Sequence, residues 1–235
     1  MSLEITYVHG QKLVTGTDCF DVYLKYKNDC ISNASDPVKL ASILDDYLNY
    51  AKDYELNNPN SASVRSAYYS SILEEHPVLV FGDHVTNLTS NLTYDFSFGN
   101  KECVIFSGAN TKCNPRYESK KIDFALCVSN KDYPYPVLLV GFEVKKYLDK
   151  TMYDSVLHTH ELLRTFRPST VYAFMGEDEA RGKDVIANSM MSGKEFILTG
   201  KERNKGLRHQ IDSSIYTKWY DFTKKSIEET ILLLK

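Results

Sequence analysis

No stretch of the 235-residue chain approaches the ~18 consecutive apolar residues that a membrane-spanning helix needs. The N-terminal MSLEITYVHGQKL lacks the charged-then-apolar layout of a secretory signal, so a cytoplasmic, intracellular protein is expected. Cysteine is sparse and unpatterned. Cys19, Cys30, Cys103, Cys113 and Cys127 form an odd set with no CxxC spacing, which argues against a disulfide framework and predicts free thiols. An excess of positive charge is also missing. The net charge of −3 excludes a small, wholly basic nucleic-acid-binding module but leaves room for Lys and Arg gathered along one groove. Tryptophan occurs once against 17 tyrosines, whose amphipathic rings serve as half-buried packing residues.

There is no internal repeat, low-complexity tract or interdomain linker, and the length suits one domain over residues 1–235. Its expected parts are a helical extension over 1–60, a core over 61–200, and a basic loop with a final helix over 201–235. Asp36-Pro37 is a helix start, and Leu40, Leu44, Tyr47, Leu48 and Ala51 follow at helical spacing. A second helix is expected over 63–75, closed by Pro77. Strands are expected at 78–81, 93–98 and 102–107. IDFALCV at 122–128 and PVLLVGFEV at 136–144 flank SNKDYPY and read as a hairpin. A helix over 152–166, strands at 171–176 and 195–199, and a helix from about 213 to the end complete the expectation.

Side chains alternate along a strand, so Glu143 and Lys145 share one face while Phe142 and Val144 take the other. Two ionic groups thus sit at the end of an apolar strand, where unpaired charge is costly. Asp123 begins the preceding strand. If the hairpin opens near Glu143, both carboxylates converge on one divalent cation, and hard oxygen ligands suit Mg2+, or Mn2+. Such an ion polarises a phosphate and activates a water, while a neighbouring Lys stabilises developing negative charge. Phosphodiester hydrolysis is the chemistry that follows. His158 and His160, two apart on a helix, point in different directions and are assigned no ligand role.

With KID at 121–123, 19 intervening residues and EVK at 143–145 after an apolar run, the sequence resembles the PD-(D/E)xK nuclease superfamily. Ile122 stands where that family has proline. The resemblance implies a mixed α/β (α+β) fold with a restriction-endonuclease-like core, a central mixed β-sheet flanked by helices. It also implies a catalytic set of Asp123, Glu143 and Lys145, with Asp123 and Glu143 on the metal. Many members add a Glu from the preceding helix; Glu75 falls on the stripe of Val64, Tyr68 and Ile72 and is the candidate, with Glu74 the alternative. The size and the extra helices are most like a type II restriction endonuclease cutting double-stranded DNA as a homodimer. Two basic stretches are candidate DNA contacts: Arg116, Lys120 and Lys121 in TKCNPRYESKK, and Lys201, Arg203, Lys205 and Arg208 in GKERNKGLRHQ. Other readings stay open: a repair, mobile-element or effector nuclease, a non-catalytic nucleic-acid-binding module, or an interaction protein in which EVK is a strand end.

Overall fold

The computed structural model describes residues 2–13, 19–57, 62–108, 116–191, 193–204 and 207–235. A short strand β1 (Leu3–Thr6) leads through the one-turn α1 (Val8–Leu13) to three helices, α2 (Phe20–Ser32), α3 (Pro37–Asn57) and α4 (Ala62–Thr89). A meander of β2 (Phe96–Gly108), β3 (Arg116–Val128) and β4 (Val137–Leu148) follows. Then come α5 (Lys150–Phe166), β5 (Val171–Glu179), α6 (Lys183–Ala187), β6 (Glu195–Ile197) and α7 (Ser213–Leu232). The predicted start of α3 holds, with Asp36 accepting from Lys39 N at 3.0 Å. Among the described residues no helix is long and apolar enough to cross a membrane.

The six strands form one mixed sheet in the order β1-β2-β3-β4-β5-β6. The meander is antiparallel; β1 joins β2, β5 joins β4 and β6 joins β5 in parallel. One face carries Phe98, Phe124, Leu126, Val140, Phe142, Val144 and Met175 and packs in a single cluster with α2, α3, α4 and α7. The opposite face carries Ile122, Ala125, Cys127, Tyr172 and Phe174 and packs on α5 through Tyr153, Val156 and Leu163. Asp149 starts α5 directly after β4, its side chain accepting from Met152 N. The helix is thereby laid back over the sheet.

Three expectations need correction. Pro77 does not end a helix, and 78–81 is not a strand: α4 runs through both. Val78, Leu79, Val80 and Phe81 are all buried, so this stretch is apolar on every side, and a short continuous apolar run does not distinguish strand from helix. Burial of the run offsets the bond that proline cannot donate, a cost of about 3 kcal/mol in a helix interior. The strands expected at 93–98 and 102–107 are one strand, β2, passing through Gly99 at φ 120°. The basic stretch TKCNPRYESKK at 111–121, whose composition reads as a loop, is strand from Arg116 on, where β3 begins. The described cysteines, Cys19, Cys30, Cys103 and Cys127, are free thiols, and Cys113 lies outside the described residues.

One irregularity of register positions the site. Between the pairs Gly99↔Ala125 and Lys101↔Ile122, two steps along β2 are matched by three along β3. The extra residue is a β-bulge, which re-aims the side chains beside it. Ile122 and Ala125, three apart, consequently lie in the same α5-side cluster, although strict alternation would separate them.

Candidate active site

The β3–β4 register runs from Val128↔Val137 to Phe124↔Phe142. Beyond that pair, Val144 N donates to the side chain of Asp123, at 3.0 Å from Oδ2. With a carboxylate in place of the ladder, the β3–β4 pairing ends here, with Asp123 on β3 and Glu143 and Lys145 on β4 at the point of separation. Phe142 and Val144 pack in the opposite cluster, as strand alternation requires.

Four charges meet there. Lys145 Nζ lies 2.5 Å from Asp123 Oδ2 and 3.5 Å from Glu143 Oε2, so a single ammonium touches both carboxylates. Lys120 Nζ lies 2.6 Å from Glu143 Oε1 and donates to Thr159 Oγ1 on α5 at 2.8 Å. Tyr172 of β5 donates its hydroxyl to Glu143 Oε1 at 2.9 Å. Glu143 is almost completely enclosed, its side chain 5% exposed, whereas those of Lys145 and Lys120 are 32% and 26% exposed.

The two carboxyl groups are driven apart electrostatically. Burial raises the pKa of Asp123; Lys145 opposes that, and the nearby charge of Glu143 reinforces it. Burial would also raise Glu143, but Lys120, then Lys145 and the Tyr172 hydrogen bond, outweigh it and hold Glu143 below the usual range. Burial works against the charge on Lys145, while Asp123, Glu143 and Glu74 raise its pKa. Burial beside Glu143 pushes the Tyr172 phenol well above its ordinary value, so it acts as a donor.

These residues suit a hard divalent cation. Lys145 places positive charge between two carboxylates, the position such an ion would share. Among the described residues no three or more His, Cys, Asp or Glu side chains gather for a metal. Two carboxylates completed by water and phosphate oxygens are the habit of magnesium.

The remaining candidates fall in different places. Glu75 is 1% exposed and turned toward the N-terminal helices, accepting from His9 N at 2.6 Å, Gly10 N at 2.9 Å and Tyr23 Oη at 2.7 Å. That carboxylate holds the start of α1 and stands apart from Asp123 and Glu143 in its bonding. Glu74, whose charge acts on Lys145 and which accepts from Asn100, is the helix acid beside the site. Lys120 is bound within the site and Lys121 is exposed. Lys201 and Arg203 are exposed, and Arg203 lies over the Tyr147 ring at 3.6 Å. Arg208 is instead turned inward, its side chain 6% exposed, against Glu177 at 2.9 Å and Asp45 at 2.8 Å. A guanidinium held by two enclosed carboxylates, with one nitrogen donating to Asn49 Oδ1 at the surface at 3.0 Å, braces the fold. Lys205 and the side chain of Arg116 lie outside the described residues. Tyr172 and Thr159 were missed, since nothing in their local sequence marks them.

A mixed sheet that opens at paired carboxylates, with helices on both faces, is a restriction-endonuclease-like fold. Among solved structures, a chain of the native BbvCI A2B2 tetramer is similar to this one, with a TM-score of 0.60 at 17% identity, covering 94% of this chain and 95% of that chain. By sequence, no family profile and no curated protein matches.

Proposed function

We propose that this chain is a magnesium-dependent deoxyribonuclease of the PD-(D/E)xK type, a site-specific restriction endonuclease acting on double-stranded DNA. The observation that carries the reading is the meeting of Asp123, Glu143 and Lys145 where β3 and β4 separate. The likeness to a BbvCI chain supports it at the level of fold.

Asp123 and Glu143 would hold Mg2+, or Mn2+, which when bound supplies a polarised phosphate and a water acidic enough to act as nucleophile. Lys145, part-exposed where the strands separate, is placed to neutralise the charge that develops on the phosphoryl oxygens. Lys120 and Tyr172 hold the Glu143 carboxylate in one orientation and keep it ionised. Lys121, Lys201 and Arg203 present exposed positive charge for the strand backbone.

Twofold DNA sites call for two copies, so a homodimer is the expected assembly. The A2B2 composition of the BbvCI tetramer favours a second reading, in which a non-identical subunit completes the enzyme. Mass measurement in solution separates the two: a stable dimer of this chain supports the first, and a monomer that cuts only with another subunit supports the second.

Incubation with plasmid DNA, with Mg2+ or with chelator, tests the activity. Discrete Mg2+-dependent fragments are expected. A smear would point to a nonspecific nuclease, and intact DNA under all conditions would contradict the reading.

A further inference from the structure

Tyr172 has a second neighbourhood. Besides bonding Glu143, it lines a cavity of about 290 Å3 between the C-terminal half of α5, the start of β5, and Met190, Met191 and Lys194. Three basic side chains line this cavity, His160, Arg164 and Lys194, and among the described residues no acidic one does. Neighbouring acids are engaged elsewhere or act weakly: Glu195, next to Lys194, is bound to Arg181 and Ser189. Burial, then Lys194 and Arg164, lower the pKa of His160, and Glu161 only partly opposes them. That shift favours neutral His160, so the like charges at the cavity are Arg164 and Lys194, and an anion between them relieves their repulsion.

The lining also indicates which anion. A guanidinium fork with an ammonium matches the oxygens of a phosphoryl group. The cavity, at the small end of ligand sites, leaves space beyond that group, and the exposed Met190 side chain supplies an apolar surface suited to a sugar. We infer that it is a phosphoryl-binding pocket that takes a backbone phosphate of the nucleic-acid strand neighbouring the one at Asp123 and Glu143. The inference rests on the nuclease reading. Tyr172, common to both, links pocket and carboxylate.

The test uses the full chain with Arg164→Ala and Lys194→Ala combined, with thermal unfolding confirming that the variant folds. Binding of a fluorescent DNA duplex is measured in chelator, so that no cleavage intervenes, and inorganic phosphate is titrated while the His160 imidazole is followed by NMR. Duplex affinity should fall about tenfold, and its dependence on log salt should become shallower by about one. Unchanged duplex affinity, salt dependence and phosphate binding would overturn the pocket. Loss of phosphate binding alone, with duplex binding intact, would assign the pocket to free phosphate and overturn the strand assignment. Failure of the nuclease reading gives a different pattern: intact plasmid, yet weakened duplex binding by the variant.

Discussion

Val144 gives its backbone N–H to the Asp123 carboxylate at 3.0 Å, and so the residue beyond which the β3–β4 ladder ends is the residue proposed to hold the metal. The same oxygen takes the Lys145 ammonium. Strand separation and charge placement are one event here, and the consequences can be measured.

Tyr172→Phe keeps the buried ring and removes one donor to Glu143. The loss of a hydrogen bond to an enclosed charge should cost about 1.5–3 kcal/mol in denaturant unfolding. Cleavage should slow by about tenfold through a loosened carboxylate. Unaltered stability and rate would show that Lys120 and Lys145 suffice to position Glu143.

Gly99 sits at the bulge with φ 120°, where a Cβ would lie 2.6 Å from the Thr6 carbonyl oxygen of β1. Gly99→Ala should destabilise the fold by about 2 kcal/mol or more, because both the backbone angle and the contact are unfavourable. Since this bulge re-aims the side chains around Asp123, residual folded protein should also cleave more slowly. A stable, fully active variant would contradict the role given to the bulge.

Removing Arg208 leaves Glu177 and Asp45 enclosed without their cation. Arg208→Met should cost about 3–5 kcal/mol, as breaking buried pairs does, whereas Lys201→Ala on the surface should change stability by about 0.5 kcal/mol at most. Chemical denaturation compares them. A neutral Arg208→Met that weakens DNA binding would return this residue to the interface.

Full burial drives the His76 pKa down to about 3, its ring nitrogens bonded to Tyr26 and Tyr216. Below its ordinary value near 6.5 the unfolded chain takes up a proton that the folded one refuses. The stability contributed by this group is complete above pH 6.5 and is lost as pH falls toward 3, at about 1.4 kcal/mol per pH unit. Glu75 next to it, raised by burial, has the opposite sign, so the contribution of His76 is read by difference. The destabilisation caused by His76→Gln should shrink between pH 7 and pH 5. A pH-independent difference would contradict the assignment.

How much of this was legible depended on whether a feature was local. Glu143 and Lys145 share a face because β4 alternates without interruption there, and strand period alone reveals it. The faces of Lys120 and Asp123 depend on an extra residue in β3 that only the partner strand defines. Tyr172 reaches Glu143 from a strand 29 residues away, and Thr159 reaches Lys120 from a helix, so neither has a sequence signature. The run at 78–81 does not disclose its helix because total burial erases periodicity, and the enclosure of Arg208 has no local sign because its partners, Glu177 and Asp45, lie far off in sequence.

The most direct test of the account is single-turnover cleavage of plasmid DNA in Mg2+ by wild type and by Glu143→Gln, a near-isosteric change that keeps a partner for Tyr172. With thermal stability matched, the account predicts a rate lower by about 10³-fold or more, the scale on which preorganised charge contributes to catalysis. A Glu143→Gln protein that cuts at the wild-type rate would contradict the assignment of these residues as the active site.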